Sequence, residues 1–172
     1  MIWINFCRNG GKDACFFTFS HALFSISYLS IFLGEAVQFT RKIKGNTVPF
    51  TIVGWGHKPT ADKARDYAAK HNLPYIALED GFLRSLDLGC KGAQPLSLVV
   101  DHTGIYYDAT EPSDLENLLN GSGGDLEGQL QSAQHAIEAS KRHDLSKYNH
   151  APRPAARLLG DASCPSVIIF DQ

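Results

Sequence analysis

Cysteine is scarce and scattered in this chain of 172 residues: Cys7, Cys15, Cys90 and Cys164 form no Cys-x-x-Cys pair. Without that spacing neither a zinc site nor a disulfide framework is expected, and a reducing compartment is the simpler reading. The seven histidines do not change this, because none stands at ligand spacing from another His or from a Cys. An excess of positive charge is missing as well. Sixteen Lys and Arg against eighteen Asp and Glu leave a formal charge of −2, with no basic stripe of the kind nucleic-acid binding shows. A long aliphatic run is also lacking. Residues 16–33 approach the roughly 20 apolar residues of a membrane span, but His21 and several serines dilute them. No Ala-x-Ala cleavage site follows that would mark a signal peptide. The favoured reading of this stretch is a buried strand and helix opening the same domain, with residues 27–33 helical and Gly34 ending them.

What the chain does contain is organised around residues 51–86. Val48-Pro49-Phe50-Thr51-Ile52-Val53 is a short apolar run, followed by Gly54-Trp55-Gly56-His57-Lys58-Pro59. A helical stretch runs from Thr60 to His71, with Thr60 as N-cap, Asp62 in the first turn, Lys70 and His71 in the last, and Asn72 as stop. Ala61, Ala64, Tyr67 or Ala68, and His71 trace its inner face. A second apolar run, Tyr75-Ile76-Ala77-Leu78, leads into Glu79-Asp80-Gly81-Phe82-Leu83-Arg84-Ser85. Strand, helix, strand at this spacing is a βαβ unit with a parallel sheet. In such sheets ligands sit outside the carboxyl ends of the strands. His57-Lys58 and Glu79-Asp80 both follow such ends and are expected to share one crevice. Gly54-Trp55-Gly56 lacks the third glycine of a dinucleotide fingerprint and reads as a tight turn.

Beyond the central unit, residues 96–100 and 105–108 read as a hairpin around Asp101-His102-Thr103-Gly104, with Asp101 as turn former. Ser113 and Glu116 have capping-box spacing at the start of a short helix to Asn120. Gly121-Ser122-Gly123-Gly124 is a flexible break. A longer helix from about Asp125 to Arg142 follows, its narrow apolar face marked by Leu126, Leu130, Ala133, Ile137 and Ser140. The chain ends on an apolar strand, Ser166-Val167-Ile168-Ile169-Phe170-Asp171-Gln172. A parallel strand with no following helix would leave a sheet face bare, so an incomplete molecule is expected. The organisation is then a poorly legible segment 1–46, an α/β Rossmann-like domain 47–120, a linker with a crossing helix 121–154, and one strand of a second domain, 155–172.

Several stretches together carry a family resemblance. They are Gly54-Trp55-Gly56-His57-Lys58-Pro59, Leu78-Glu79-Asp80-Gly81-Phe82-Leu83-Arg84-Ser85, Pro95-Leu96-Ser97-Leu98-Val99-Val100-Asp101, Gly104-Ile105-Tyr106-Tyr107-Asp108-Ala109, Leu145-Ser146-Lys147-Tyr148-Asn149 and the terminal Asp171-Gln172. In this order they resemble the capsule polysaccharide export and biosynthesis family that includes KpsC and LipA, over about residues 50–172. The resemblance implies a GT-B-like glycosyltransferase of two Rossmann-like domains with a cleft between them, of which this chain holds the first domain and the start of the second. It implies transfer of 3-deoxy-D-manno-oct-2-ulosonic acid (Kdo) from CMP-Kdo, with retention, to a lipid-linked glycan acceptor. It also implies a cytoplasmic protein, peripheral at the inner membrane and next to a capsule export complex. No cofactor or metal is implied, CMP-Kdo being a substrate.

Retention through two successive inversions needs one carboxylate as nucleophile and another group to manage the acceptor's proton, the logic of retaining glycosidases. Asp171 is the expected nucleophile, and Glu79 or Asp80 the acid/base. Arg84 suits a carboxylate or phosphate through its bidentate fork. His57, Lys58, Ser85 and Gln172 complete the expected substrate contacts. A chain lacking most of the nucleotide half would not turn over alone. Two other readings use the same residues differently: a non-catalytic glycolipid-binding or assembly module, and the remnant of a disrupted gene.

Overall fold

The computed structural model describes residues 15–43, 50–121 and 126–149. Five strands form one sheet in the order β2-β1-β3-β4-β5. They are β1 (Cys15–Thr18), β2 (Val37–Phe39), β3 (Phe50–Trp55), β4 (Tyr75–Asp80) and β5 (Leu98–Asp101). The first four run parallel, and β5 pairs antiparallel with β4. The α/β class and the parallel sheet expected from the sequence are both present.

The segment before Phe50, hard to read in the sequence, supplies two of these strands. Between β1 and β2 lie two short helices, α1 (His21–Phe24) and α2 (Leu29–Leu33). Ser20 caps α1 by accepting from the Leu23 amide at 3.2 Å. Gly34, at φ 77°, ends α2 in the left-handed conformation that glycine adopts without penalty. Among the described residues no helix is long and apolar enough to cross a membrane; residues 16–33 divide into a strand and these two helices.

Strand alternation sends side chains to two cores. Phe16, Val53, Ile76 and Leu78 pack with Leu23, Leu29 and Leu33 of α1 and α2. On the other face, Ile52 packs with Ala64 and Ala68 of α3 (Pro59–His71), joined by Phe17, Tyr67, Leu73 and Tyr75. Successive crossovers from β1 go in opposite directions along the sheet, and right-handed connections then place their helices on opposite faces. The alanine face expected for α3 is the buried one, with Ala61, Ala64 and Ala68 at 0–2 % exposure. The helix begins one residue before the expected cap. Pro59 occupies the first turn, where its missing N–H costs nothing, and Lys58 stands at the cap position without a side-chain bond. Asn72 closes it at φ 52°. Gly54 lies inside β3, and a Cβ there would run into the Tyr75 hydroxyl and the Ala61 methyl. It is a close-packing glycine rather than part of a turn.

The expected hairpin does not form. Leu98–Asp101 pairs back onto β4, and residues 105–108 adopt no strand. Asp101 explains why. Its buried carboxylate accepts from the amides of Thr103 (3.0 Å), Gly104 (2.8 Å) and Asp114 (3.2 Å). That hub turns the chain away from β5 and ties it to α4 (Asp114–Asn120), while Ile105 is buried beneath the loop. Ser113 caps α4 as its spacing predicts, accepting from the Glu116 amide at 3.1 Å. The last described helix, α5 (Leu126–Arg142), leaves Leu130 and Ile137 exposed, so its apolar stripe is uncovered here. The chain then returns to the sheet end. Lys147 O accepts from the amides of Arg84 and Ser85, and Ser85 and Tyr148 form a one-residue parallel bridge.

Candidate functional site

The order β2-β1-β3 places a topological switch between β1 and β3, the position where open α/β sheets bind ligands beyond the strand ends. Trp55, Gly56 and His57 emerge there, beside the end of β4. The sequence reading ends the second strand at Leu78 and puts Glu79 and Asp80 in a loop. In the structure pairing with β5 extends β4 through both, with Glu79 opposite Val99 and Asp80 opposite Leu98. This changes their relation. Adjacent residues of a strand point to opposite faces, so the two carboxylates part company.

Asp80 turns toward Arg84. Arg84 Nε donates to Asp80 Oδ1 at 2.9 Å, and both side chains are largely buried, at 11 % and 16 % exposure. Arg84 Nη1 also donates to Ser85 Oγ at 3.2 Å and to the Ala93 carbonyl. Ser85, 1 % exposed, passes its own hydroxyl proton toward the Asp87 carbonyl. A Cβ on Gly89 would meet the Arg84 guanidinium, so the turn at 89–92 closes over it. Arg84 and Ser85, expected to touch substrate, are engaged with the protein's own atoms.

Glu79 turns the other way, toward Trp55 and Gly56. Its Oε1 accepts from the Trp55 indole Nε1 at 3.1 Å and from the Asp80 amide at 3.0 Å. The Tyr107 hydroxyl stands beside this carboxylate, both of them bordering the space where a Cβ of Gly56 would lie. Gly56 makes room for the group. Its φ of 45° is left-handed, and a Cβ would collide with both the Tyr107 hydroxyl and Glu79 Oε2. The Tyr107 oxygen in turn accepts from the His57 amide at 3.1 Å. Burial, and then the Glu79 charge beside it, push the Tyr107 phenol above its ordinary pKa, so it stays a donor at neutral pH.

His57 stacks edge-on against Tyr107, with ring centroids 5.5 Å apart, and its Nε2 lies 3.4 Å from Asp108 Oδ2. The Thr110 hydroxyl and amide hold the Asp108 carboxyl below the usual carboxylate range. Lys58, exposed, places its ammonium 5.4 Å from the centre of the Trp55 ring. Next to His57 a cavity of about 250 Å³ opens between α3 and the loop after β5, walled by Arg65, Tyr75, Asp108 and Glu111. The structure thus gathers Glu79, His57 and Lys58 around Trp55 and Tyr107, beside a cavity that His57 lines and Glu79 and Lys58 do not, and turns Asp80 away. Asp171 and Gln172 lie outside the described residues. Among the described residues no three His, Cys, Asp or Glu side chains gather as they would around a metal ion.

Sequence reasoning passed over Trp55 and Tyr107. Trp55 stands inside the Gly-Trp-Gly-His-Lys-Pro stretch, and Tyr107 inside Gly-Ile-Tyr-Tyr-Asp-Ala, so both signals were at hand. A hairpin reading of 105–108 hides Tyr107, because it puts that residue in a strand and not over the crevice.

The stretches that build this crevice lie within a family match. Residues 51–163 fit the model described as capsule polysaccharide biosynthesis protein. The chain belongs to this KpsC/LipA family. It is 50 % identical over 123 residues to the capsule polysaccharide modification protein LipA of Neisseria meningitidis serogroup B, a match covering 70 % of this chain and 18 % of LipA. It is 41 % identical over 102 residues to the lipopolysaccharide-processing protein LpsZ of Rhizobium meliloti, covering 59 % of this chain and 23 % of LpsZ. Among solved structures it is similar to the β-Kdo 2,4 transferase of Thermosulfurimonas dismutans KpsC. The TM-score is 0.76 at 43 % identity, over 86 % of this chain and 45 % of that one. The chain therefore spans less than half the length of each of these family members.

Proposed function

We propose that this member of the capsule polysaccharide biosynthesis family contributes the acid/base half of a retaining Kdo transferase. CMP-Kdo is the donor and a lipid-linked glycan at the cytoplasmic face of the inner membrane the acceptor. The observation that carries the reading is the placement of Glu79. It is a carboxylate at a strand end, oriented by two donors and set beside the Tyr107 hydroxyl, in a chain 43 % identical to a β-Kdo transferase of the same fold.

In the proposed sequence the Asp171 carboxylate attacks the anomeric carbon of Kdo. The bond from that carbon to the phosphate oxygen breaks, and CMP leaves with the electron pair. An acceptor hydroxyl then gives its proton to Glu79 while its oxygen displaces Asp171 from the anomeric carbon. Two inversions leave the configuration retained. Asp80 is not the acid/base in this scheme, because its carboxylate neutralises a buried arginine. His57 and Lys58 stand where the sugar acid or the acceptor would lie. Arg84 and Ser85 shape the loop from within.

The test is a chimera. Residues 51–149 of this chain replace the matching segment of the T. dismutans transferase, and Kdo transfer from CMP-Kdo to a Kdo-terminated acceptor is followed. Transfer within about tenfold of the parent is expected. A folded chimera that binds CMP-Kdo but transfers nothing would favour the glycolipid-binding module instead.

A further inference from the structure

From the way its hydroxyl is held, we infer that Tyr107 is the positioning residue for Glu79, fixing the carboxylate's orientation toward the acceptor hydroxyl. The inference rests on the reading of Glu79 as the acid/base. A glutamate at a strand end has three side-chain torsions, and Trp55 and the Asp80 amide restrain one oxygen, Oε1. The carboxylate can still rotate about that anchor. A general base must hold its accepting oxygen within hydrogen-bonding reach of the proton it takes, about 2.6–3.2 Å, so the second oxygen needs a restraint of its own.

Tyr107 supplies that restraint with a fixed direction. The His57 amide can only donate, and it donates to the Tyr107 oxygen at 3.1 Å. A phenol has one proton. With its oxygen already accepting, that proton is free to point at Glu79 Oε2, which shares the space over Gly56 with the hydroxyl. The ring is itself wedged edge-on between His57 and Tyr106, with centroids 5.5 and 5.4 Å away at 67° and 84°. Gly56 is the necessary complement, since any side chain there would fill the point where hydroxyl and carboxylate meet. Trp55, Gly56 and His57 thus come from one strand end, Glu79 from the next and Tyr107 from the loop beyond. The three segments meet at one carboxylate.

The experiment uses the full 172-residue chain with ring-labelled tyrosine and indole-labelled tryptophan, followed by NMR. In Glu79→Gln the titration midpoint of Tyr107 is expected to fall, because the charge that opposes phenolate formation is gone. At neutral pH Tyr107→Phe, which keeps the ring and removes the oxygen, is expected to shift the Trp55 indole N–H resonance while the remaining spectrum stays dispersed. A Tyr107 midpoint unmoved by Glu79→Gln, or a Trp55 indole signal unmoved by Tyr107→Phe, overturns the inference. If both signals respond but the transfer activity above survives Glu79→Gln, the contact is real and its catalytic meaning is overturned along with the reading of Glu79.

Discussion

Replacing Glu79 with glutamine in the transferase chimera is expected to lower Kdo transfer by about a thousandfold and leave folding intact. The size follows from the role, since a positioned acid or base contributes roughly 10²–10⁴ in rate. The selectivity follows from the geometry. Glutamine keeps the shape and can still accept from the Trp55 indole and the Asp80 amide through its carbonyl oxygen, so the strand end need not rearrange. It cannot take a proton from an acceptor hydroxyl. The loss should therefore fall on kcat more than on KM, as for an interaction made in the transition state. Initial rates at varied acceptor concentration, with circular dichroism as the control for folding, check this. A drop of less than tenfold would remove Glu79 from the chemistry.

Asp80→Ala is expected to do something different: to destabilise the chain by about 3 kcal/mol, the lower end for breaking a buried ion pair by deleting one partner. Arg84 would stay in its enclosed site with the Ala93 carbonyl and Ser85 Oγ but without its counter-charge. For a chain of this length that corresponds to a fall in melting temperature of roughly 10 °C. Arg84 also lies under the returning segment, whose Lys147 carbonyl accepts from the Arg84 and Ser85 amides. Early loss of the 146–149 contacts, seen as faster amide exchange at Ser85, should accompany the drop. Thermal unfolding of the variant beside Glu79→Gln separates the two carboxylates, one expected to cost activity and the other stability.

The contrast between these neighbours bears on what a sequence can disclose. The unit β3-α3-β4 was legible because its signals are local: an apolar run, an alanine-lined helical period, Asp62 in the first turn and Asn72 at the end, and a second apolar run. The first strands were hidden because the helices between them span four and five residues, too short to display a 3.6-residue period. The fates of Glu79 and Asp80 depended on pairing with β5, a contact that the residues around them do not encode. Once β4 extends to Asp80, alternation alone sends one carboxylate to Trp55 and Tyr107 and the other to Arg84. Asp101 shows the same limit from the other side. As a turn former it was readable; that its carboxylate would reach across to Asp114 and cancel the hairpin was not, because that bond joins distant segments.

If a sugar acid is handled beside Glu79, the Trp55 indole bonded to that carboxylate reports on it directly. The chain has two tryptophans, so a Trp3→Phe background leaves one indole N–H signal to follow. Titration of that protein with the methyl β-glycoside of Kdo should move the Trp55 resonance saturably. A Trp55 signal that stays fixed at saturating glycoside, while resonances elsewhere on the chain respond, would place the sugar acid away from Glu79.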